Sequence, residues 1–409
     1  MRMKLTGILS LFLLAILVLS AGCASAEKTI TLTFTGDCTI GGKEEGRGIP
    51  SSFEGYVKKY GYDYFFANFR EMFQQDDQTV INFEGVFADQ PWNEKKKKHA
   101  FRGARELVAV LTGSGIDAAS LANNHTLDYQ TPGLKTTRKT LEENGIAWFQ
   151  NTTYHIYEKE GVQVAFFALR NANINTQQKQ KEFYKLVKKA RKTDGADAVV
   201  VCWHTGTEYK GTHNKDTEDL VKQLIDNGVD LVIINHPHVA QGMGIYNNRC
   251  AFYSLGNFVF GGNHNIRGGK NSKDPLAISL YGMVVQAKLT FSNEGKYLGQ
   301  QITVYPVYSS GSDPDYQVGS KNYPTNNYQP IRLTLEQAAP VYECIKRDSD
   351  VDLPEMKEKN GFAEIDFPYL PAFDEIMVPE ENETDKTEAA VPSASNPKPT
   401  KDDKSHTDD

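Results

Sequence analysis

Five apolar runs in this chain each end on residues able to bind a metal or move a proton, and that repeated pairing constrains the fold more than any other feature. TITLTFT at 29–35 leads into Gly36-Asp37, and QTVINF at 78–83 leads into Glu84. AASLA at 118–122 is followed by Asn123-Asn124-His125 and then by Asp128. AVVVC at 198–202 runs into Trp203-His204, and VDLVII at 229–234 into Asn235 and His236-Pro237-His238. Short runs rich in Val, Ile, Thr and Phe read as strands, and the continuous ones as strands buried on both faces. In α/β sheets ligands bind beyond the carboxyl ends of the strands. The five runs therefore predict one composite site assembled from several strand ends.

Helical patterns separate the runs. Residues 133–144 and 215–227 each finish on Asn-Gly, a helix stop. VQVAFFA at 162–168 and RCAFYSL at 249–255 read as further strands. Strands alternating with helices predict an α/β layered fold. From 280 to 307 the pattern turns to LYGMVVQAKLTF and QQITVYPV, which predicts an antiparallel, β-rich C-terminal part.

The two ends of the chain differ from its body. Arg2 and Lys4 precede an apolar run from Leu5 to Leu19, the pattern of a secretory signal. That run is short for a membrane span, which needs about 20 residues. Ser20-Ala21-Gly22-Cys23 resembles a lipobox with Ser20 where Leu is usual, so residues 1–22 read as a lipoprotein-type signal and Cys23 as the lipidation site. Ala24-Ser25-Ala26 offers ordinary cleavage, and a secreted product, as the alternative. On either reading the working domain, 28–377, is extracytoplasmic; on the first it is anchored to the membrane by lipid. Residues 378–409 hold almost no large apolar side chains and are expected to be a disordered tail.

A net charge of −7 argues against nucleic acid as a partner. Beyond Cys23, the cysteines Cys38, Cys202, Cys250 and Cys344 show no CxxC spacing. Cys38 and Cys202 lie beside the motif residues, where a disulfide or metal contact is one reading and a small core residue the favoured one.

Singly, each strand-end residue has an ordinary explanation: an Asp forms turns or caps, and a His is a satisfied polar group. Asp128 in particular reads equally as a helix cap or as a partner for the His125 ring. Taken together, imidazoles, carboxylates and an Asn suit borderline divalent ions. Two such ions would need a bridging carboxylate between them.

The segments TGDCTIGG, INFEGVF, FRGARE, SLANNHTLDY, HTGTEY, NHPHV and FYSLGNFVF, in this order, resemble the CapA family of capsule synthesis or poly-γ-glutamate biosynthesis proteins. That family is similar in fold to the calcineurin-like metallophosphoesterases, which implies a four-layer α/β sandwich and divalent metal ions (two, as Mn, Fe or Zn). Carried over, the resemblance implies Asp37 on one metal with His238, Glu84 as the bridge, and Asn124, His204 and His236 on the second. It implies His125 as general acid, with Asp128 orienting its ring. The Asp-x-His that opens metallophosphoesterases is here Asp37-Cys38-Thr39, so one imidazole is missing. Thr205 stands where the family tends to have Trp, and Trp203 is the candidate to fill that volume.

Arg102, Glu208, Tyr209 and Asn257 are candidate substrate contacts, Arg102 because a guanidinium can hold a carboxylate or phosphate bidentately; a surface salt bridge is the equal alternative for Arg102, packing of the cleft for Glu208 and Tyr209, and a supporting position behind the ligands for Asn257. The run Lys95 to Lys98 reads as a solvated loop with some capacity to attract a polyanion. The expected function is a membrane-tethered, metal-dependent hydrolase or transferase acting on an anionic polymer such as poly-γ-glutamate, or on a phosphoester, beside capsule synthase or exporter subunits. The alternative is a non-catalytic assembly or export factor with a degenerate metal site.

Overall fold

The computed structural model describes residues 27–91, 98–262, 274–311 and 326–373. The signal segment with Cys23, Lys95 to Lys97 and the 378–409 tail lie outside the described residues. Among the described residues no helix is long and apolar enough to cross a membrane.

In chain order the principal elements are β1 (Lys28–Thr39), α1 (Phe53–Tyr60), α2 (Arg70–Gln75), β2 (Gln78–Phe83), β3 (Ala118–Ser120), α3 (Gln130–Glu143) and β4 (Ala147–Phe149). There follow β5 (His155–Lys159), β6 (Val162–Arg170), α4 (Gln177–Lys192), β7 (Ala198–His204), α5 (Lys215–Asp226) and β8 (Leu231–Asn235). The chain continues through β9 (Met243–Tyr246), β10 (Arg249–Phe252), β11 (Asn257–Phe260), β12 (Tyr281–Phe291), β13 (Tyr297–Tyr308), α6 (Leu335–Asp348), β14 (Lys357–Lys359) and β15 (Phe362–Asp366).

These strands form two sheets. One runs β14-β15-β13-β12-β1-β2-β3-β4, the other β9-β10-β8-β7-β6-β5. The strands β1 to β4 pair in parallel, as do β6, β7, β8 and β10. The expected antiparallel C-terminal part is the long β12–β13 hairpin, whose first strand pairs with β1.

Alternation along the strands builds four layers. Ile30, Leu32 and Phe34 of β1 meet Val164 and Phe166 of β6, Val200 of β7 and Ile233 of β8 in a core between the sheets. Beyond the first sheet, Phe53, Phe69, Phe73, Ile81 and Leu111 form a second core. Beyond the other sheet, Val199 and Val201 pack on Phe183 and Val187 of α4 and on Val221 and Leu224 of α5. The result is an α/β sandwich, helix–sheet–sheet–helix. Burying each large apolar side chain contributes about 1.5–3 kcal/mol, so these cores dominate stability.

Trp203 belongs to the outer core, with Phe183 and Leu224. The expectation that it fills the volume beside the site is therefore corrected. Neighbouring residues in a strand face opposite ways, and Trp203 follows the inward-facing Cys202. The four described cysteines are buried and unbonded, as small core residues. Burial pushes the thiols of Cys38 and Cys250 up to about 12.

Candidate metal centre

The site begins with a break in the register of β1. Pairing with β2 shifts between Phe34 and Asp37. Up to Phe34 the even-numbered side chains face the inter-sheet core, whereas Cys38 and Ile40 lie in the outer one. The irregularity re-aims Asp37, a recognised use of such bulges. Gly36 makes it possible: a Cβ there would sit 2.3 Å from the Gly256 carbonyl oxygen, and the Asp37 N–H donates to that oxygen at 2.8 Å.

Asn82, near the end of β2, ties the two sheets together. Its Nδ2 donates to Asp37 Oδ1 at 2.8 Å and to Glu84 Oε1 at 3.1 Å, and lies 3.2 Å from His204 Nδ1 at the end of β7. Asp37 and Glu84 are both fully buried. Burial, with the adjacent Asp37 charge, raises Glu84 well above the usual carboxylate range. Burial pushes Asp37 the same way, but His238 outweighs it by hydrogen bond and charge, and Asp37 lies below its ordinary value. One carboxylate is thus compensated within the protein and the other is not.

The second sheet supplies the imidazoles. His204 Nε2 lies 2.9 Å from Asn124 Oδ1. Burial, and then His236 and His238, hold His204 well below its ordinary pKa. His236 takes a φ of 113° and His238 a φ of 58°, both in the region that L side chains disfavour. This turn lets the His236 N–H reach Asp37 Oδ2 at 3.3 Å. It also brings His238 Nδ1 within 3.0 Å of that oxygen. Burial first, and His238 second, push His236 down to about 4.

His125 approaches from the other side. Its Nδ1 is 2.8 Å from Asp128 Oδ2, and its Nε2 is 3.9 Å from Glu84 Oε2. Phe101 stacks on the ring at 4.3 Å between centroids, while the Phe101 N–H donates to Asp128 Oδ2 at 2.7 Å. The helix-cap reading of Asp128 is corrected: α3 begins at Gln130 with Tyr129 as its cap residue.

Two of the candidate substrate contacts take their alternative reading. Arg102 is buried; its Nε and Nη2 donate to Glu44 at 2.8 and 3.0 Å and its Nη1 to the Ala88 carbonyl at 2.8 Å. Its donors serve a structural clamp instead of a ligand. Asn257 accepts from His238 Nδ1 at 3.0 Å and donates to the carbonyls of His238 and Ser279. It positions His238. Tyr209 and Glu208 remain at the centre: the Tyr209 ring is 5.9 Å from the His238 ring, and burial pushes its phenol up to about 12. Glu208 is exposed.

Two sets of ligand atoms lie within 4.8 Å of one another here, Asp37 with Glu84 and His238, and Glu208 with His236 and His238. Within this cluster Glu84 Oε2 and His236 Nδ1 are buried without a hydrogen-bond partner. Orphaned buried polar atoms are costly. Burial also keeps the His236 imidazole neutral, the state a metal ligand needs, while Glu84 would release its proton on binding. The residues present fit divalent ions of the kind held by mixed oxygen and nitrogen donors.

Asn82, Asn123 and Phe101 escaped assignment from the sequence although each lies in a quoted motif. Asn123 donates to the Phe83 carbonyl at 2.7 Å and accepts the His125 N–H at 3.0 Å. The only signal was adjacency to a candidate ligand.

Residues 31–262 match the family model described as bacterial capsule synthesis protein PGA_cap. The capsule biosynthesis protein CapA of Bacillus anthracis is 30% identical over 257 residues, 57% of this chain and 60% of that protein. The PGA biosynthesis protein CapA of Bacillus subtilis (strain 168) is 28% identical over 255 residues, 58% of this chain and 64% of that protein. The chain thus spans less than two thirds of the length of these curated relatives. A solved phosphatase from Mycoplasma pneumoniae shares 13% identity at a TM-score of 0.39, covering 69% of this chain and 95% of that one.

Proposed function

This chain belongs to the family of bacterial capsule synthesis proteins, and from that premise we propose that it is a metal-dependent hydrolase or transferase of capsule or poly-γ-glutamate biosynthesis. The substrate class is an anionic polymer such as poly-γ-glutamate, or a phosphoester. The protein works outside the cytoplasm, held to the membrane by lipid on Cys23 or else secreted, beside synthase or exporter subunits. The name of the Bacillus subtilis relative, a PGA biosynthesis protein, supports the polymer class.

Asp37, Glu84, Asn124, His204, His236 and His238 are the residues that would hold two divalent ions. When bound, such ions supply Lewis acidity and a nucleophile formed at neutral pH. The chain's own part is to hold and deliver a proton. His125 Nδ1 is anchored on Asp128, which leaves Nε2 facing the centre to protonate the leaving oxygen or nitrogen as its bond breaks. Phe101 covers one face of the ring and keeps water from it. The carrying observation is the His125–Asp128 pair, with His125 Nε2 aimed at Glu84 Oε2, a carboxylate oxygen without a hydrogen-bond partner; a purely structural metal site has no use for an adjacent acid.

One observation favours the second reading, a non-catalytic assembly or export factor. Thr39 stands where an imidazole ligand would be expected, and its hydroxyl is buried without a hydrogen-bond partner. The deciding experiment measures bound metal on the purified protein, then turnover of model phosphoesters and poly-γ-glutamate, with His125→Ala in parallel. Loss of about 10²–10⁴ in rate is expected for that variant. Purified protein that binds no metal, or turnover unchanged in His125→Ala, would overturn the metal-dependent enzymatic reading.

A further inference from the structure

We propose that Glu208 is a metal ligand, the carboxylate that makes good the imidazole missing at Thr39. The inference rests on the reading of this centre as a metal site and assigns it one more residue. Glu208, His236 and His238 each offer a ligand atom, and these atoms lie within 4.8 Å of one another. His236 Nδ1 has no hydrogen-bond partner in the protein.

The position of Glu208 is built by its surroundings. The loop after β7 is stitched to the turn that carries both histidines: the Tyr209 N–H donates to the Pro237 carbonyl at 2.8 Å. Gly206, at φ 116°, packs so closely on Pro237 that a Cβ would come within 2.8 Å of its ring. Further along the loop, Gln241 donates to the Lys210 carbonyl at 2.7 Å and Arg347 to the Gly211 carbonyl at 2.9 Å. Asp348 closes the arrangement. Its carboxylate accepts the His213 N–H at 3.0 Å and the Gly242 N–H at 3.0 Å, binding this loop to the segment just past His238. Glu208 is therefore an exposed side chain on a backbone held to the ligand turn from both sides.

Charge gives the second reason. An exposed carboxylate beside a site for an anionic substrate repels that substrate. Coordinated to a divalent ion, the same carboxylate is neutralised and adds to the ion's hold. Asp37 and Glu84 then grip from the buried side and Glu208 from solvent.

The test uses the full-length protein and Mn²⁺ or Zn²⁺ alone, with stoichiometry and affinity read by calorimetric titration and elemental analysis. Glu208→Gln is expected to bind one ion as the wild type does and the other roughly 10–100-fold more weakly, since even outer-shell changes cost that much. Glu208→Asp is expected to recover part of the loss. Metal-free melting temperatures of all three should coincide, because Glu208 is exposed. If Glu208→Gln binds both ions at wild-type affinity, the assignment of Glu208 falls while the metal centre stands. If the wild type binds no ion, the centre itself falls with it.

Discussion

At the amino ends of the parallel strands, Asp77, Asp117, Asp197 and Asp230 each stand one residue ahead of a strand and accept a backbone N–H from the neighbouring one. The donors are Thr31, Thr79, Gln163 and Val199, at 2.8, 2.8, 2.8 and 2.9 Å. At the carboxyl ends, Asp37 and Glu84 lie side by side, one matched by His238 and the other holding an unpartnered oxygen. Both sets are acidic and both sit at strand termini. The amino-end set satisfies the sheet's own orphan donors and stabilises the fold. The carboxyl-end set is held in an arrangement that protein groups alone leave incomplete, which is what a ligand site requires.

The sharpest way to break this contrast is at Asp230, which also pairs with Arg191 and, at 2.9 Å, with Arg249 Nε. Asp230→Ala should cost about 3–5 kcal/mol by urea unfolding, because it strands the buried Arg249 guanidinium and the half-buried Arg191. A loss below about 1 kcal/mol would mean that the amino-end charges do not stabilise the sheet. The carboxyl end should respond in the opposite sense. Glu84→Gln removes a buried acid whose ionisation is opposed by burial and by Asp37, so the metal-free variant should melt no lower than wild type. Mn²⁺ at 100 times its dissociation constant should stabilise the wild type by about 2.7 kcal/mol and the variant not at all. Stabilisation of both alike would remove Glu84 from the ligand set.

Asp117→Ala is the milder version of the first test, costing about 1–3 kcal/mol through the lost partner of the Thr79 N–H. The smallest effect concerns pH. Burial lowers His213, but its hydrogen bond to Asp348 and the charges of Asp348 and Asp350 outweigh that and raise it above its ordinary value. Stability from this contact is full below the unfolded value of about 6.5 and is lost as pH rises through the raised folded value. Melting temperatures taken across this range should fall for wild type and fall less for Asp348→Asn. Parallel profiles would show that the contact contributes nothing.

Much of the fold was legible because burial on both faces leaves continuous apolar runs. QTVINF is β2 with the same bounds, and AVVVC lies within β7. Helix α4 was not read, since QQKQKEFYKLVKKARK commits only Phe183, Val187 and Ala190 to the core and the rest to solvent. Helix α6 was likewise missed, and with it Asp348, which holds the loop after β7. The residue types gathered at the candidate site were legible as strand-end residues. The networks around them were not: nothing in FRG tells that Arg102 is spent on Glu44, some 58 residues away, or that its neighbour Phe101 lies on His125.

By itself the sequence determined the alternation of strand and helix, the strand ends at which chemistry would gather, and the residue types present there. Periodicity and residue chemistry are local properties, and a single chain carries them openly. Only the tertiary structure decided which of those residues share a centre. The register shift at Gly36, the positive φ of His236 and His238, and the reach of Asn82 from one sheet to the other are set by contacts between segments far apart in the chain. Such contacts exist only once the two sheets have packed, and no local pattern encodes the distance between their ends.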